Sequence, residues 1–364
     1  MPAGRRSAGV SAPRTCRAGR GADGPPGSSV GIQEIATATG LSKATVSRAL
    51  RGLPTVAGAT IDEVRRVADE LGYVPSSAAA GLATGRQRAV GVVLPVIDRW
   101  FYAKALGGVD AELRAAGYDL VLYNLGGPGG DRHRAFRRAM LRQRVDALVL
   151  LSLVLDETER RELQVSELPT IVIGGPAHDL RNVGVDDRAV AALVVRHLTD
   201  LGHRHVAYVG GQDEAGMNVA VPYQRRDGFT EAMTRAGHPV RTGWYADGRF
   251  SFAGGVAAGT ALLDVRPVER PTAVVCASDE MALGVVVAAQ RLGLVVPADV
   301  SVTGVDGHEY GEVLGLTTVA QDPGAQGRVA ARAVVAEAQG APPTVVPVSP
   351  ARLVVRRTTA PPTR

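Results

Sequence analysis

Three stretches near the start of the chain place apolar residues at the spacing of one buried helix face. Ile32, Ile35 and Ala36 fall at i, i+3 and i+4, and Val46, Ala49 and Leu50 repeat the pattern. Between them Gly40 ends the first helix and Ser42 can cap the second. A third stripe, Ile61, Val64, Val67, Ala68 and Leu71, predicts a helix over Thr60–Tyr73, with Thr60 as cap and Gly72 as stop. The outer side of the second helix carries Lys43, Thr45, Ser47 and Arg48 and no acid. Two short helices around a tight turn with one cationic face form a helix-turn-helix, the shape that enters a DNA major groove.

From Ala89 the period changes to apolar runs alternating with helical patterns. Strands are predicted at Val90–Pro95, Asp119–Tyr123, Ala147–Leu151, Thr170–Ile173, Val206–Val209, Ala273–Ala277 and Val300–Val305. Helical stretches between them include Lys104–Ala116, Arg188–Leu201, Gln224–Ala236, Phe252–Leu263 and Glu280–Leu292. Continuous apolar strands separated by helices imply parallel sheets buried on both faces. The body is long for one unit, and Gly174-Gly175-Pro176 falls near its middle. The fold class expected is therefore α/β: a three-helix helix-turn-helix domain followed by two doubly wound parallel-sheet subdomains, whose facing strand ends form a ligand cleft.

Residues 1–28 are rich in Gly, Pro, Ala, Ser and Arg and have almost nothing to bury, which predicts a disordered basic tail. The helix-turn-helix domain is expected over 29–75, a hinge or linker over 76–88, the two-subdomain body over 89–356 and a short tail over 357–364. Within the body the boundary is set near 175, with crossovers near 305–322.

The net charge of +5 is unevenly spread. Residues 1–88 hold 12 Lys and Arg against 6 Asp and Glu, so the remainder carries a net charge of −1. This skew suits one DNA-binding end on a nearly neutral body, although arginine-rich composition alone also produces it. Cys16 and Cys276 are too few and too far apart for a zinc cluster or disulfide framework, which fits a reduced cytoplasm. No apolar run reaches the roughly 18 residues that span a bilayer, and no secretory signal pattern follows the basic start.

The order of parts resembles the lac repressor family of bacterial transcription regulators. The residues that carry the resemblance are Val46-Ser47-Arg48-Ala49-Leu50 and Glu70-Leu71-Gly72-Tyr73-Val74-Pro75 at the DNA-binding end. The body adds Leu201-Gly202-His203-Arg204, Ser278-Asp279-Glu280-Met281-Ala282-Leu283-Gly284, Val302-Thr303-Gly304-Val305-Asp306 and Leu316-Thr317-Thr318-Val319. They keep family order from about residue 30 to 356, and together they are specific although each alone is weak. The resemblance implies a body of the periplasmic-binding-protein type.

It also implies that Lys43, Ala44 and Arg48 face base edges. Lys43 and Arg48 can donate to guanine O6 and N7, while Ala44 offers only a methyl contact. Ser42, Thr45 and Ser47 suit phosphate oxygens, which fix register. The Ser76–Thr84 segment resembles the family's hinge helix, in which Leu82 matches the apolar wedge that opens a central base step. Ala80 stands where the family usually has an arginine, and Gly81 lowers helix propensity by about 1 kcal/mol.

By the same resemblance an effector cleft is assembled from Phe101, Tyr102, Arg225, Phe250, Ser278, Asp306 and Gln321. A carboxylate, an arginine and aromatic faces make a typical polyhydroxyl site, so a sugar is the first expectation and a nucleoside or purine the alternative. Each position also has a plainer reading. Phe101 suits the core as well as a ligand wall, Arg225 can pair with a nearby acid, and Asp279 reads as a helix N-cap.

An enzyme would need a nucleophile elbow, a phosphate loop or a metal cluster, and the sequence carries none of these patterns, so no catalytic residue, metal or cofactor is expected. His203 and His205 flank Arg204 at a strand start, where both can be solvated. A transport solute-binding protein shares the body but gives the helix-turn-helix no purpose. The expectation is a cytoplasmic, nucleoid-associated homodimeric repressor that binds a near-palindromic operator and answers a small-molecule effector, with no membrane partner.

Overall fold

A computed structural model describes residues 30–73, 86–126, 131–139, 144–175, 180–211 and 220–363. The expected basic tail, the hinge residues Ala80, Gly81 and Leu82, and Pro176 lie outside the described residues. The chain divides into two compact units, Met1–Ser76 and Ser77–Arg364.

In the first unit α1 (Ile32–Thr39), α2 (Lys43–Leu50) and α3 (Gly58–Glu70) surround one small core. Ile35, Ala36, Val46, Ala49, Val64, Val67 and Ala68 are buried in it, and Ile32, Leu50, Ile61 and Tyr73 close its edge. Gly40 adopts φ 67°, a left-handed conformation that lets its N–H return to the Ala36 carbonyl and stop α1. The third helix departs from expectation at its start. It begins at Gly58 with Ala57 in the cap position, so Thr60 lies inside the first turn and caps nothing. At its end Gly72 (φ 68°) turns the chain, and the Tyr73 N–H reaches the Ala68 carbonyl at 2.8 Å.

The second unit holds two sheets. The first is built from β1 (Ala89–Leu94), β2 (Asp119–Asn124), β3 (Ala147–Leu151), β4 (Thr170–Ile173) and β5 (Arg181–Val183), in the order β2-β1-β3-β4-β5, all parallel. Its helices are α4 (Trp100–Ala116), α5 (Arg132–Ala139) and α6 (Glu157–Ser166). After α7 (Asp187–Asp200) come β6 (Val206–Gly210), α8 (Val221–Arg235), β7 (Tyr245–Asp247), α9 (Phe252–Leu263), β8 (Ala273–Cys276), α10 (Asp279–Arg291) and β9 (Ser301–Asp306). The chain ends with α11 (Glu309–Leu314), β10 (Thr317–Ala320), α12 (Pro323–Ala338) and β11 (Arg352–Val354). The second sheet runs β11-β10-β9-β8-β6-β7. Its first five strands in chain order repeat the arrangement of the first sheet. It is not wholly parallel, because β11 pairs antiparallel with β10 at the edge.

Burial on both sheet faces explains the continuous apolar strands. In β1, Val90, Val92 and Leu94 pack on one side with Ala105, Val109 and Leu113 of α4. Ala89 and Val93 pack on the other with Phe136 of α5 and Leu163 of α6.

The subdomains interleave and are not successive. The chain leaves the first after β5, near residues 184–186, so the boundary lies beyond the 175 expected from the glycine pair. The helix α7 packs on the second core through Val190, Val194, Val195 and Leu198. After β10 the chain returns, and α12 lies against α4 at backbone distance. A Cβ on Gly108 would stand 2.0 Å from the Gly324 carbonyl oxygen, and one on Gly327 would stand 2.2 Å from that of Ala105. A last crossing follows, with Val346 packed on the first core and Ala351 on the second.

The expected C-terminal tail is instead part of the second subdomain. Thr358 is buried, its hydroxyl donates to the Val302 carbonyl at 2.7 Å, and its carbonyl accepts from the Val302 N–H at 2.8 Å. His203 is likewise not solvated: its ring nitrogens lie 2.9 Å from Thr272 Oγ1 and 2.9 Å from the Ala360 carbonyl oxygen. Among the described residues no helix is long and apolar enough to cross a membrane.

Candidate functional site

The outer face of α2 is built by its own cap. Ser42 Oγ accepts from the Thr45 N–H at 3.1 Å and lies 2.9 Å from Thr45 Oγ1, which fixes the start of the helix. Lys43, Ala44 and Arg48 are exposed, Thr45 and Ser47 half-buried, and Val46 and Ala49 face the core. Ala44 and Arg48 sit one turn apart on the same side. No carboxylate occurs in the chain between Glu34 and Asp62, so the charges that α2 itself carries are all positive.

In the second unit the carboxyl ends of both sheets converge on one cavity of about 240 Å³. Pro95 and Val96 enter it after β1, Ser152 after β3, Gly174 after β4, Phe250 after β7, Ser278 after β8, Asp306 at the end of β9 and Gln321 after β10. Phe101 and Tyr102 come from the first turn of α4 and Arg225 from α8. All seven residues singled out for the cleft therefore line this cavity. The placement follows from topology: loops at the carboxyl ends of parallel strands meet where strand order reverses.

Arg225 lies at the centre of the polar wall and is 5% exposed. Its Nε donates to Asp187 Oδ1 at 2.7 Å and its Nη1 to the Ala277 carbonyl at 2.5 Å, with Asp306 Oδ1 at 3.6 Å. One helical turn on, Gly228 lets α8 lie against α7, since a Cβ there would be 2.7 Å from the Arg188 Cα. That close approach brings Arg225 to Asp187. Burial opposes the charge on Arg225, but Asp187 and Asp306 outweigh it and raise its pKa. Burial pushes Asp306 up to about 7, against the pull of Arg225. Asp187 is also raised by burial, with Arg225 opposing.

Asp306 is held in a left-handed backbone conformation at φ 130°. Its Oδ1 accepts from Gln321 Nε2 at 2.8 Å, and Gln321 Oε1 accepts from Gln326 Nε2 at 3.0 Å. Phe250 also has positive φ, 46°, and its ring lies over Gly211, where a Cβ would stand 2.6 Å from it. Burial pushes the Tyr102 phenol up to about 12, opposed by its hydrogen bond with Ser152. Phe101 both lines the cavity and packs on the first core.

One position beside the cavity, Asp279, differs from expectation. The cap of α10 is Ser278, whose Oγ accepts from the Met281 N–H at 3.4 Å. Asp279 is no cap. It is fully buried, its Oδ2 accepts from the Gly307 and His308 N–H groups at 2.9 and 2.8 Å, and its Oδ1 accepts from Thr318 at 2.7 Å. Burial raises it to about 6.

Sequence reasoning missed Asp187, Ser152, Glu280, Arg249 and Gln326 on the cavity wall. A signal for Asp187 existed in Asp186-Asp187 before an apolar helix. Asp186 caps α7 through the Ala189 N–H, and its neighbour remains free to face the cleft.

The two subdomains also touch beside the cavity. Trp100 Nε1 donates to Glu309 Oε2 at 2.6 Å, and Lys104 Nζ lies 3.3 Å from Glu309 Oε1. Elsewhere, His133, Asp156 and Glu159 bring ligand atoms within 4.8 Å of one another. Arg132 grips both Glu159 oxygens at 2.7 Å and already supplies the positive charge a cation would bring.

Comparison with known proteins bears on both sites. Residues 31–76 match the profile of bacterial regulatory proteins of the lacI family, and residues 195–359 that of a periplasmic binding protein-like domain. The catabolite control protein A of Priestia megaterium is 32% identical over 307 residues, 83% of this chain and 91% of its own. The HTH-type transcriptional repressor PurR of Vibrio vulnificus is 31% identical over 295 residues, 80% of this chain and 86% of its own. Among solved structures, the lac repressor dimer bound to operator and the anti-inducer ONPF superimposes with TM-score 0.77 at 25% identity, covering 91% of this chain and 99% of its own. A complex of the transcriptional regulator CelR with cellobiose gives TM-score 0.65 at 29% identity, covering 90% and 99%.

Proposed function

The chain belongs to the lacI family of bacterial regulatory proteins, and on that premise we propose that it is a homodimeric repressor whose operator affinity is set by a sugar in the cleft. Two copies would read a near-palindromic site, since one helix-turn-helix covers only a half-site. Lys43, Ala44 and Arg48 are its base-reading residues, Ser42, Thr45 and Ser47 its phosphate contacts, and Leu82 the wedge of the hinge. Reading chromosomal DNA makes the cytoplasm its place of work.

The observation that carries the effector reading is the convergence of Asp306, Gln321, Arg225 and Ser278 with Phe101, Tyr102 and Phe250 on one cavity. Acceptors and donors on one side and ring faces on the other suit vicinal hydroxyls and an apolar sugar face. The similarity to a regulator solved with cellobiose supports the same class. A nucleoside is the second reading, favoured by the aromatic rings Phe101 and Phe250, on which a base could stack. The effector acts by binding one of two cleft states more tightly.

The test joins the two ends. A band-shift assay with promoter DNA should show a retarded dimer complex, and one sugar from a panel should change its midpoint while raising the melting temperature. Response to nucleosides alone would overturn the sugar reading.

A further inference from the structure

The first sheet has a second edge, at the amino ends of its strands and opposite the cavity. There the chain enters β1 and β3 side by side, with Val90 paired to Ala147. Arg86 and Arg88 lead into β1, Arg144 leads into β3, and Arg138 comes from the last turn of α5. All four are exposed. Between Asp131 and Asp146 the chain holds six arginines and no acid. Two of the six are paired locally, Arg132 with Glu159 and Arg137 with Glu162. Among the described residues no carboxylate pairs with Arg88, Arg138 or Arg144. The acids of this edge are Asp119, exposed at the start of β2, and Asp146. Both Asp146 oxygens are engaged by backbone, accepting from the Gln87 and Arg88 N–H groups at 2.8 and 2.7 Å.

A buried phenol belongs to the same cluster. Tyr123 is 7% exposed, and Gly91 gives its ring room. A Cβ on Gly91 would stand 3.2 Å from Tyr123 Cε2 and 3.5 Å from Val145 Cγ1, so the ring leans across β1 toward the residue that follows Arg144. Its hydroxyl is buried and has no hydrogen-bond partner among the described residues. Burial pushes the phenol pKa up, opposed by the positive charges of Arg144 and Arg138. The hydroxyl proton needs an acceptor, and guanidinium groups offer none. An oxyanion supplies one and is attracted by both arginines.

We propose that this edge is a phosphate-binding site made by Arg138, Arg144 and the Tyr123 hydroxyl, and that its ligand is the DNA backbone outside the half-site that α2 reads. The inference rests on the reading of this chain as an operator-binding repressor. Arg86 follows Tyr73 by 13 residues, at most about 45 Å of extended chain. A duplex held by α2 therefore stays within reach, and its row of phosphates meets arginines set along neighbouring strand ends. Such a contact carries no sequence information. It adds affinity and makes binding more steeply dependent on salt.

The experiment titrates full-length protein into a fluorescent promoter fragment and a random-sequence duplex of equal length, over a series of salt concentrations. Arg138→Gln combined with Arg144→Gln should weaken both complexes at least about tenfold at roughly 0.1 M salt, and should lower the salt slope by about one for each arginine removed. The preference for promoter over random sequence should stay unchanged. Tyr123→Phe keeps every charge and should weaken both complexes about threefold with the slope intact. Unchanged affinity and slope in the arginine variant overturn the proposal, and unchanged affinity in Tyr123→Phe removes the phenol from the site. A wild-type protein that binds the promoter no better than random duplex overturns the repressor reading, while the random duplex still decides this edge. A chain that binds neither duplex overturns both. A second arm adds inorganic phosphate at constant ionic strength. If phosphate raises the melting temperature of the wild type alone, and the arginine variant binds DNA equally well, the ligand is a free phosphate and the DNA assignment fails.

Discussion

The indole of Trp100 stacks on the imidazole of His308, with ring centroids 5.0 Å apart and planes 24° from parallel. Trp100 opens α4 of the first subdomain, and His308 follows β9 of the second. The contact therefore ties the two halves of the cleft, reinforced by the hydrogen bond from the indole to Glu309. Burial lowers the His308 pKa, and its Nδ1 accepts from the Tyr310 N–H at 3.0 Å, so the ring stacks in its neutral form.

Trp100→Ala should loosen the closed cleft. Glu309 is half-exposed, so stacking and hydrogen bond together contribute about 1 kcal/mol, or roughly fivefold in the closed population. Effector affinity should weaken by that factor, and solution scattering should show a larger radius without ligand. An unchanged affinity and radius would mean that the stack does not hold the cleft.

Effector affinity should depend on pH through Asp306. Its folded pKa of about 7 lies above the ordinary 3.8, so the free protein binds an extra proton between those values. Stability from that proton is full at low pH and is lost as pH rises through 7. A sugar whose hydroxyls donate to the ionised carboxylate displaces the proton, so affinity should rise with pH up to about 7 and then level. The limiting slope is about tenfold per pH unit. Titration calorimetry in buffers of different ionisation enthalpy would detect the released proton, and Asp306→Asn should flatten the profile. A profile that stays sloped in Asp306→Asn assigns the proton elsewhere.

Asp279→Ala should damage the fold more than any change at the cleft surface. It strands the buried N–H groups of Gly307 and His308 and the Thr318 hydroxyl. Removing the acceptor should lower stability by about 3 kcal/mol or more, measured by urea denaturation. A loss below about 1 kcal/mol would show that water replaces the carboxylate.

Arg48→Ala should reduce operator affinity by about ten- to a hundredfold, the range of a lost guanine contact. Binding to unrelated DNA should change far less, and circular dichroism should be unaltered because the side chain is exposed. Equal losses on operator and unrelated DNA would reduce Arg48 to a phosphate ligand.

Much of the fold was legible where local chemistry decides it. The caps Gly40 and Ser42 act within a few residues of themselves, and central strands such as Ala147–Leu151 are apolar runs buried on both faces. Edge strands escaped for the opposite reason. Arg181–Val183 and Tyr245–Asp247 are short and partly exposed, so they carry no apolar run. The strand Thr317–Ala320 hid behind buried threonines, whose polarity reads as loop until Asp279 and Thr358 are seen to satisfy it. The α3 start slipped because Ala57-Gly58-Ala59 offers no barrier to a helix running back past Thr60.

The cleft residues were nameable one at a time, but their relations were not. Sequence alone determined the cationic face of α2, the alternation of strand and helix, and the residue types that end up around the cavity. Periodicity and capping are short-range, so these need no knowledge of distant neighbours. Tertiary structure alone decided that Arg225 faces Asp187 and Asp306, that α12 returns to α4, and that Trp100 meets His308. Each joins segments far apart in the chain. Each depends on backbones brought together by packing, at Gly228 on α7 and Gly108 on α12. The electrostatic character of the cleft follows from those approaches, because a guanidinium between two buried carboxylates differs from one open to a ligand.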